Sequence, residues 1–247
     1  MQVGVIELTV LGCSGSYGAP AGGACSGYLV RAGGATLWVD CGNGTLAALQ
    51  RHADPADITA VVITHTHPDH CVDIYGLHVL NQYGLERFGL PVYAPQGVEP
   101  ALRHLVGGWS DTFDWHEVGD GDTVDIGAVG LRFARTDHPP PTVAVEISHD
   151  GHRLIYTSDT GPKWSVAEFA PGADLVLSEA TYQHHDIRAP LHLSARQAAE
   201  MARAAGARRL MLTHLWPGLD PNVSVAEASD AFGEPVILAA PNLTMQI

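Results

Sequence analysis

Several metal-binding side chains lie close together in one short stretch of the chain, His65-Thr-His-Pro-Asp-His70. Three imidazoles and a carboxylate occur within these six residues. Imidazole nitrogen and carboxylate oxygen suit zinc, and manganese or iron also accept them. Because Pro68 interrupts the stretch, we expect a tight loop and not a helix face. In such a loop the first two histidines can point to one ion while Asp69 and His70 turn to a second. The alternative is a group of surface histidines on a turn.

The segments before these and other polar residues explain how one site could be assembled. Four short apolar runs, each predicted to be a strand, end next to a residue that can bind a metal or transfer a proton. The runs are 60–64, 154–158, 174–178 and 210–213, and the residues that follow them are His65, Asp159, Glu179 and His214. In α/β sheets, sites are built at the carboxyl ends of the strands. Four such junctions together predict a single site.

The remaining pattern predicts an α/β layered fold in one domain spanning residues 1–247. Further strand-like runs are 6–11, 36–39 and 143–147. The clearest helix is 195–205, where Ser194 and Gln197 match a capping box and Gly206 can end the helix. Glycine and proline content predicts loops at 12–27, 40–44 and 137–141. The 12–27 loop has no G-K-[ST] and is therefore not a nucleotide-binding P-loop.

Composition limits the partners. The chain has 13 basic and 27 acidic residues, a formal net charge of −14. Proteins that grip a long polyanion use many basic contacts, whereas here the only adjacent basic pair is Arg208-Arg209. A small anionic substrate fits this balance better than a folded RNA.

Composition also indicates the cellular compartment in which the protein is expected. The hydrophobic fraction of 46% is enough for a sizeable core, and no apolar run approaches the roughly 18 residues that cross a bilayer. The first ten residues alternate like a strand and lack the basic start of a signal peptide. We therefore expect a cytoplasmic protein with no membrane partner, and its four cysteines (13, 25, 41 and 71) as free thiols.

The motifs resemble those of the metallo-β-lactamase fold, and the resemblance runs nearly end to end. The chain is most similar to the ribonuclease Z-like branch, and within it to atypical cyclic-nucleotide phosphodiesterases of actinobacteria. The motifs that carry it are Leu8-Thr-Val-Leu-Gly-Cys-Ser-Gly-Ser16, His65-Thr-His-Pro-Asp-His70, Tyr156-Thr-Ser-Asp-Thr-Gly161, Leu177-Ser-Glu-Ala-Thr181, His192-Leu-Ser-Ala-Arg-Gln-Ala-Ala199 and Leu212-Thr-His214. The fold implied is an αββα sandwich.

The resemblance also implies a ligand set. One metal would be held by His65, His67 and His138, the last from the short motif Thr136-Asp-His-Pro139. A second metal would be held by Asp69, His70 and His214, with Asp159 bridging the two. The expected cofactor is two divalent ions, most often Zn²⁺, with Mn²⁺ as the alternative.

The chemistry follows from such a cluster. Two ions a few ångströms apart share a hydroxide, lower its pKa towards about 7 and clamp the phosphoryl oxygens during in-line attack. Asp69 would belong to the catalytic set through the metal. His192 would give a proton to the leaving alkoxide, oriented or charged by Glu179, because both residues match motifs of the branch. Lys163 and Arg188 lie near site motifs and are candidates to touch a phosphate.

The substrate has alternatives. A 3′,5′-cyclic nucleotide is the first choice, and a 2′,3′-cyclic phosphate or short RNA end is the second. Enzymes of this branch that mature tRNA usually carry a long basic arm, which this sequence does not show. Lactone, thioester or β-lactam hydrolysis on the same metals is a separate possibility, in which His192 and Glu179 would be dispensable.

Two further hypotheses are weaker. A redox di-iron site usually has a glutamate where this chain has His67. A scaffold that has lost catalysis would be expected to lose ligands first, yet all seven candidates are present. A homodimer is implied by the resemblance alone. His184 and His185 are predicted to be surface residues. Four tryptophans are expected to pack in the core or at a dimer interface, with a base-stacking pocket as the alternative: Trp109, Trp115, Trp164 and Trp216.

Overall fold

Two mixed sheets form the framework in the computed structural model, which describes residues 4–20, 22–186 and 188–247. The strands are β1 (Glu7–Gly12), β2 (Gly23–Ala32), β3 (Ala35–Val39), β4 (Ala60–Val62), β5 (Leu90–Ala94), β6 (Phe113–Glu117), β7 (Thr123–Ile126), β8 (Val129–Arg135), β9 (Val143–His149), β10 (His152–Tyr156), β11 (Leu175–Glu179), β12 (Leu210–Thr213), β13 (Ile237–Leu238) and β14 (Thr244–Gln246). The spatial orders are β14-β1-β2-β3-β4-β5-β6 and β13-β12-β11-β10-β9-β8-β7.

Each sheet is antiparallel on one side and parallel on the other. β14, β1, β2 and β3 pair antiparallel, whereas β3, β4, β5 and β6 run parallel. In the second sheet β7 to β10 are antiparallel, and β10 to β13 are parallel. The carboxyl ends of parallel strands share an edge, so the loops after β4 in one sheet and after β10, β11 and β12 in the other can supply a common site.

Helices cover the outer faces of both sheets. They are α1 (Thr45–Leu49), α2 (Pro68–Cys71), α3 (Ile74–Val79), α4 (Val98–Val106), α5 (Val166–Phe169), α6 (Ala195–Ala204) and α7 (Pro221–Phe232), with a 3₁₀ turn at Pro55–Asp57 and a π-helical turn at Leu80–Leu85. None of these helices has the length and apolar character needed to cross a membrane.

Three clusters of buried apolar side chains hold the layers of sheets and helices together. The central one joins the facing sides of the two sheets, with Val10 and Tyr28 from the first and Phe133 and Val145 from the second. A second cluster packs α5, α6 and α7 on the second sheet, and a third packs α1, α3 and α4 on the first. The chain therefore adopts the expected αββα sandwich.

The predicted helix is present with its predicted cap. The Ser194 side chain accepts a hydrogen bond from the backbone N–H of Gln197, and the Gln197 side chain accepts one from the N–H of Ser194. Gly206 follows with a φ of +67°. The four cysteines are free and buried.

Two local expectations were wrong. The glycine-rich stretch is not a loop throughout, because β2 begins at Gly23, where the chain pairs with β1. Pro68 does not exclude a helix from the histidine-rich stretch either. It opens the helical turn α2, where proline's missing N–H would be unpaired in any case.

Candidate metal centre

The histidine-rich segment forms a buried loop followed by one helical turn. β4 ends at Val62, and just beyond it the backbone N–H of Thr64 donates to Oδ1 of Asp40 at 2.8 Å. His65 is fully buried, and His67 is partly exposed. Asp69 and His70 lie on α2, so the turn of helix presents them beside the histidines of the loop.

The first predicted group of ligands comes together around His67. Its Nδ1 lies 3.0 Å from Nε2 of His65 and 3.3 Å from Nε2 of His138. Oδ2 of Asp159 lies 3.6 Å from His65 Nε2 and 3.8 Å from His138 Nε2. The donor atoms of these four residues are within 4.8 Å of one another, so one ion can reach all of them.

The second predicted group forms beside the first. Nε2 of His214 lies 3.1 Å from Oδ2 of Asp69, and Nε2 of His70 lies 3.6 Å from the same oxygen. Oδ1 of Asp159 lies 3.4 Å from His70 Nε2 and 3.5 Å from His214 Nε2. Asp159 therefore directs one carboxylate oxygen at each group.

Two buried atoms between the groups show that the residues fit a cation. Among the described residues, neither Nε2 of His70 nor Oδ1 of Asp159 has a hydrogen-bond partner. A buried polar atom without a partner is costly, and metal coordination is one way of satisfying it. The donor set is imidazole nitrogen and carboxylate oxygen, which suits a divalent ion such as zinc.

Outer contacts fix the direction of the ligand rings. Nδ1 of His70 donates to Oδ2 of Asp40 at 2.7 Å, and Nδ1 of His138 donates to the carbonyl oxygen of Leu191 at 2.9 Å. Nδ1 of His214 lies 2.9 Å from Oγ1 of Thr181. Holding Nδ1 in this way leaves Nε2 turned to the centre, which is the usual arrangement of metal-binding histidines.

Asp40 connects several of the residues that surround the candidate ligands. Its fully buried carboxylate accepts hydrogen bonds from His70, from the Tyr156 hydroxyl at 2.8 Å, and from both N–H and hydroxyl of Thr64. Ser158 extends the network by donating to the Thr64 hydroxyl at 2.7 Å. The contacts of Tyr156, Thr64 and Ser158 in this network were not predicted from the sequence.

The buried charges around Asp159 and His70 favour a positive charge at the centre. Burial raises the pKa of Asp159, but the charges of His214 and His70 outweigh it and bring that pKa well below its usual value. Burial lowers the pKa of His70, but Asp159, Asp40 and Asp69 outweigh it and raise that pKa well above normal. A positive charge is thus favoured at this point, and a bound metal supplies it as well as a proton does.

The first group instead favours neutral imidazoles. Burial lowers the pKa of His65 well below its ordinary value, and the charge of His70 lowers it further. Burial and the neighbouring His138 lower the pKa of His67 as well. A neutral ring keeps a nitrogen lone pair available, as a metal ligand requires.

His192 and Glu179 form a pair at the edge of the centre. Nδ1 of His192 lies 3.0 Å from Oε1 of the buried Glu179, and the His192 ring stacks on that of His214 with centroids 5.5 Å apart. Burial alone would lower the pKa of His192, but Glu179 outweighs it and raises that pKa to about 9. His192 is therefore suited to carry a proton beside the metal ligands.

Backbone from the glycine loops packs closely against the ligands. The N–H of Ser16 donates to Oδ2 of Asp69 at 2.8 Å. A Cβ on Gly42 would overlap the carbonyl oxygen of Asp69, and one on Gly15 would lie 2.5 Å from the carbonyl oxygen of His214. Small residues at these positions let the loops approach the centre.

Other predicted residues lie outside the centre. His184 and His185 are exposed, as expected, and a carboxylate of Glu227 lies 3.6 Å from His185. The backbone N–H of Lys163 donates to the carboxylate of Asp137, the residue before His138. Arg188 lies over the ring of Trp216.

Comparison with known proteins identifies the family, since residues 35–215 match the Beta-lactamase superfamily domain. The chain belongs to the beta-lactamase superfamily. It is a metallo-hydrolase of that superfamily, and its clustered histidines and aspartates indicate that it binds a divalent metal.

Relatives within the superfamily align over most of their length. The Mycobacterium tuberculosis protein Rv1339 is 37% identical over 243 residues, covering 94% of this chain and 88% of the relative. The probable metallo-hydrolase YhfI of Bacillus subtilis is 32% identical over 219 residues, covering 85% and 87%. A ribonuclease Z of Mycolicibacterium gilvum is 31% identical over 249 residues, covering 88% and 86%.

Solved superfamily structures show the same architecture. The crystal structure of YhfI from Bacillus subtilis superposes with a TM-score of 0.91 at 27% identity, covering 98% of this chain and all of the other. Human tRNase Z, short form, gives a TM-score of 0.77 at 23% identity, covering 97% and 98%. At that level of identity the second likeness concerns the fold.

Proposed function

We propose that this superfamily hydrolase cleaves a small phosphodiester, with a 3′,5′-cyclic nucleotide such as cAMP as its substrate, using two divalent ions. The observation that carries the proposal is the position of Asp159, whose two oxygens face two separate groups of ligands. Zn²⁺ suits these nitrogen and carboxylate donors, and Mn²⁺ is the alternative.

The ions supply activated water and a Lewis acid for the phosphoryl oxygens when bound. His65, His67 and His138 would hold one, Asp69, His70 and His214 the other, and Asp159 both. The outer partners Asp40, Leu191 and Thr181 keep three of these rings in place before substrate arrives. Such preorganisation reduces the reorganisation that would otherwise accompany the reaction.

The remaining task is to protonate the leaving oxygen. An alkoxide is a poor leaving group, so breaking its bond to phosphorus is faster when a proton arrives at the same time. Nδ1 of His192 faces Glu179, which leaves Nε2 as the nitrogen that can serve the substrate. His192 is the proposed general acid, and Glu179 keeps it protonated and oriented.

The net charge of the protein supports a small substrate. The net charge of −14 opposes binding of a long polyanion, whereas a single phosphodiester needs few basic contacts; Arg188 and Lys163 are near the site motifs in the sequence. We also propose a homodimer, which sedimentation of the purified protein tests directly.

A ribonuclease Z-like activity at RNA 3′ ends is the second candidate. It is favoured by the identity of 31% to the ribonuclease Z of Mycolicibacterium gilvum over 88% of this chain. The same Asp159-bridged centre would serve that reaction, so the substrates must be compared directly.

The test is steady-state hydrolysis by protein loaded with Zn²⁺ or Mn²⁺. The substrates are 3′,5′-cAMP, bis(p-nitrophenyl) phosphate, a tRNA precursor, and a lactone and a thioester. Cleavage of cAMP with the precursor untouched is the expected result. Cleavage of the precursor alone would favour the second candidate, and turnover of lactone or thioester alone would contradict both.

A further inference from the structure

Trp216 lies close in the chain to the metal centre. It follows the ligand His214 by two residues, and its backbone N–H donates to the carbonyl oxygen of Thr181 at 3.0 Å. Thr181 in turn contacts the ring of His214. The tryptophan is therefore tied to the same strand ends that hold the metal ligands, but its side chain is only partly buried.

Two side chains from other loops meet the indole. The ring of Tyr17 meets it edge to face, with centroids 5.9 Å apart. The guanidinium carbon of Arg188 lies 5.1 Å from the centre of the ring. Tyr17 is half exposed and comes from the loop in which Ser16 donates to the ligand Asp69, so this cluster adjoins the second group of ligands.

An apolar cavity of about 270 Å³ opens beside the indole. Trp216 forms one wall, with Leu215, Leu219 and Pro20 among the other lining residues. Its polar lining includes Ser14 and Thr213, which belong to the segments that flank the metal centre. Small-molecule sites typically combine an apolar cavity of this order with a few polar groups.

The indole, the guanidinium and the apolar cavity together match the chemistry of a nucleobase. Proteins bind nucleobases by stacking them on aromatic rings and on arginine guanidinium planes. Such stacking accepts any of the bases, because every base has a π-face. In a nucleoside phosphate, a single ribose separates the base from the phosphate. A base at Trp216, two residues along the chain from His214, is compatible with a phosphate of the same molecule at the metals.

We propose that Trp216, with Tyr17 and Arg188, forms a stacking subsite for the base of a nucleoside phosphate whose phosphate lies at the metal centre. The choice of ligand rests on the proposed function. Trp216 supplies the stacking face, and Arg188, which also pairs with Asp186 at 3.1 Å, holds the indole by a cation–π contact. Trp216 is thus a specificity-determining residue, because it distinguishes a nucleotide from a bare sugar phosphate.

Calorimetric binding to the zinc-loaded protein tests this without turnover. The ligands are 5′-AMP and ribose 5-phosphate, which share the phosphate and differ in the base. The wild type is expected to bind 5′-AMP more tightly. Trp216→Ala should weaken 5′-AMP about tenfold, as removal of one stacking ring does, and leave ribose 5-phosphate unchanged.

Two further variants guard against a general loss of structure. Trp216→Phe keeps an aromatic face and should retain most of the preference for 5′-AMP. Tyr83→Ala removes an exposed aromatic ring from the π-helical turn and should bind both ligands like the wild type. Equal weakening of both ligands by Trp216→Ala, or no preference for 5′-AMP in the wild type, would overturn the subsite.

The assay also separates this proposal from the proposed function. A Trp216-dependent preference for 5′-AMP in a protein that leaves cAMP intact would uphold the subsite and reject the cyclic-nucleotide activity. Hydrolysis of cAMP with unchanged KM in Trp216→Ala would uphold the activity and reject the subsite.

Discussion

Oδ1 of Asp159 lies 3.4 Å from Nε2 of His70, and both atoms are buried without a hydrogen-bond partner among the described residues. The other oxygen of Asp159 faces His65 and His138 instead. One side chain therefore couples the two ligand groups.

Asp159→Asn should reduce metal binding at both groups. An amide offers one neutral oxygen where the carboxylate offers two charged ones, so we expect fewer than two ions per chain after dialysis, measured by atomic emission. Asp125→Asn, at an exposed position of β7, is the matched control and should keep the wild-type content. Full stoichiometry in Asp159→Asn would contradict a bridging role.

Asp40→Asn should weaken metal affinity by about ten- to a hundredfold, the usual effect of losing an outer partner of a ligand histidine. The amide cannot accept all the hydrogen bonds that His70, Tyr156 and Thr64 now donate. Competition with a chelator measures the affinity. Tyr156→Phe removes one of these donors without touching His70, and a comparable fall in that variant would mean that Asp40 acts through the fold and not through the ligand.

His192→Ala should affect substrates according to their leaving groups. We expect kcat on 3′,5′-cAMP to fall by about 10²–10⁴-fold, since general acid catalysis typically contributes that much. The fall on bis(p-nitrophenyl) phosphate should be much smaller, because p-nitrophenolate departs without a proton. Unchanged metal content is the control, and equal losses on the two substrates would show that His192 is not the acid.

Gly42→Ala should impair the centre without altering any ligand. Its Cβ would overlap the carbonyl oxygen of Asp69, so α2 must shift to accommodate it. We expect weaker metal binding by calorimetry. Gly119→Ala places a Cβ 3.7 Å from its nearest neighbour, which is ordinary contact, and serves as the comparison. Equal metal affinity in the two variants would contradict the close approach.

Ser194→Ala should lower the free energy of unfolding by about 1 kcal/mol, the usual cost of losing a helix N-cap. The measurement is urea unfolding at fixed metal concentration. Ser194→Asp, which retains an oxygen acceptor for the N–H of Gln197, should recover most of the loss. If the aspartate variant is as unstable as the alanine variant, the cap is not the source of the effect.

The sequence by itself indicated most of the elements and the candidate ligands. His65, His67, Asp69 and His70 are neighbours in the chain, and Asp159, Glu179 and His214 each follow a short apolar run, so local patterns were sufficient to find them. The capping box of α6 was equally local, and it appears as predicted.

Tertiary structure alone decided which atoms meet. That Asp159 offers one oxygen to each group, and that Asp40 supports His70 from a position 30 residues away, depends on how the two sheets bring their parallel edges together. The cluster of Tyr17, Arg188 and Trp216 arises in the same way from three separate loops. Such contacts leave no periodic trace in the sequence, because side-chain direction at a loop is set by long-range packing.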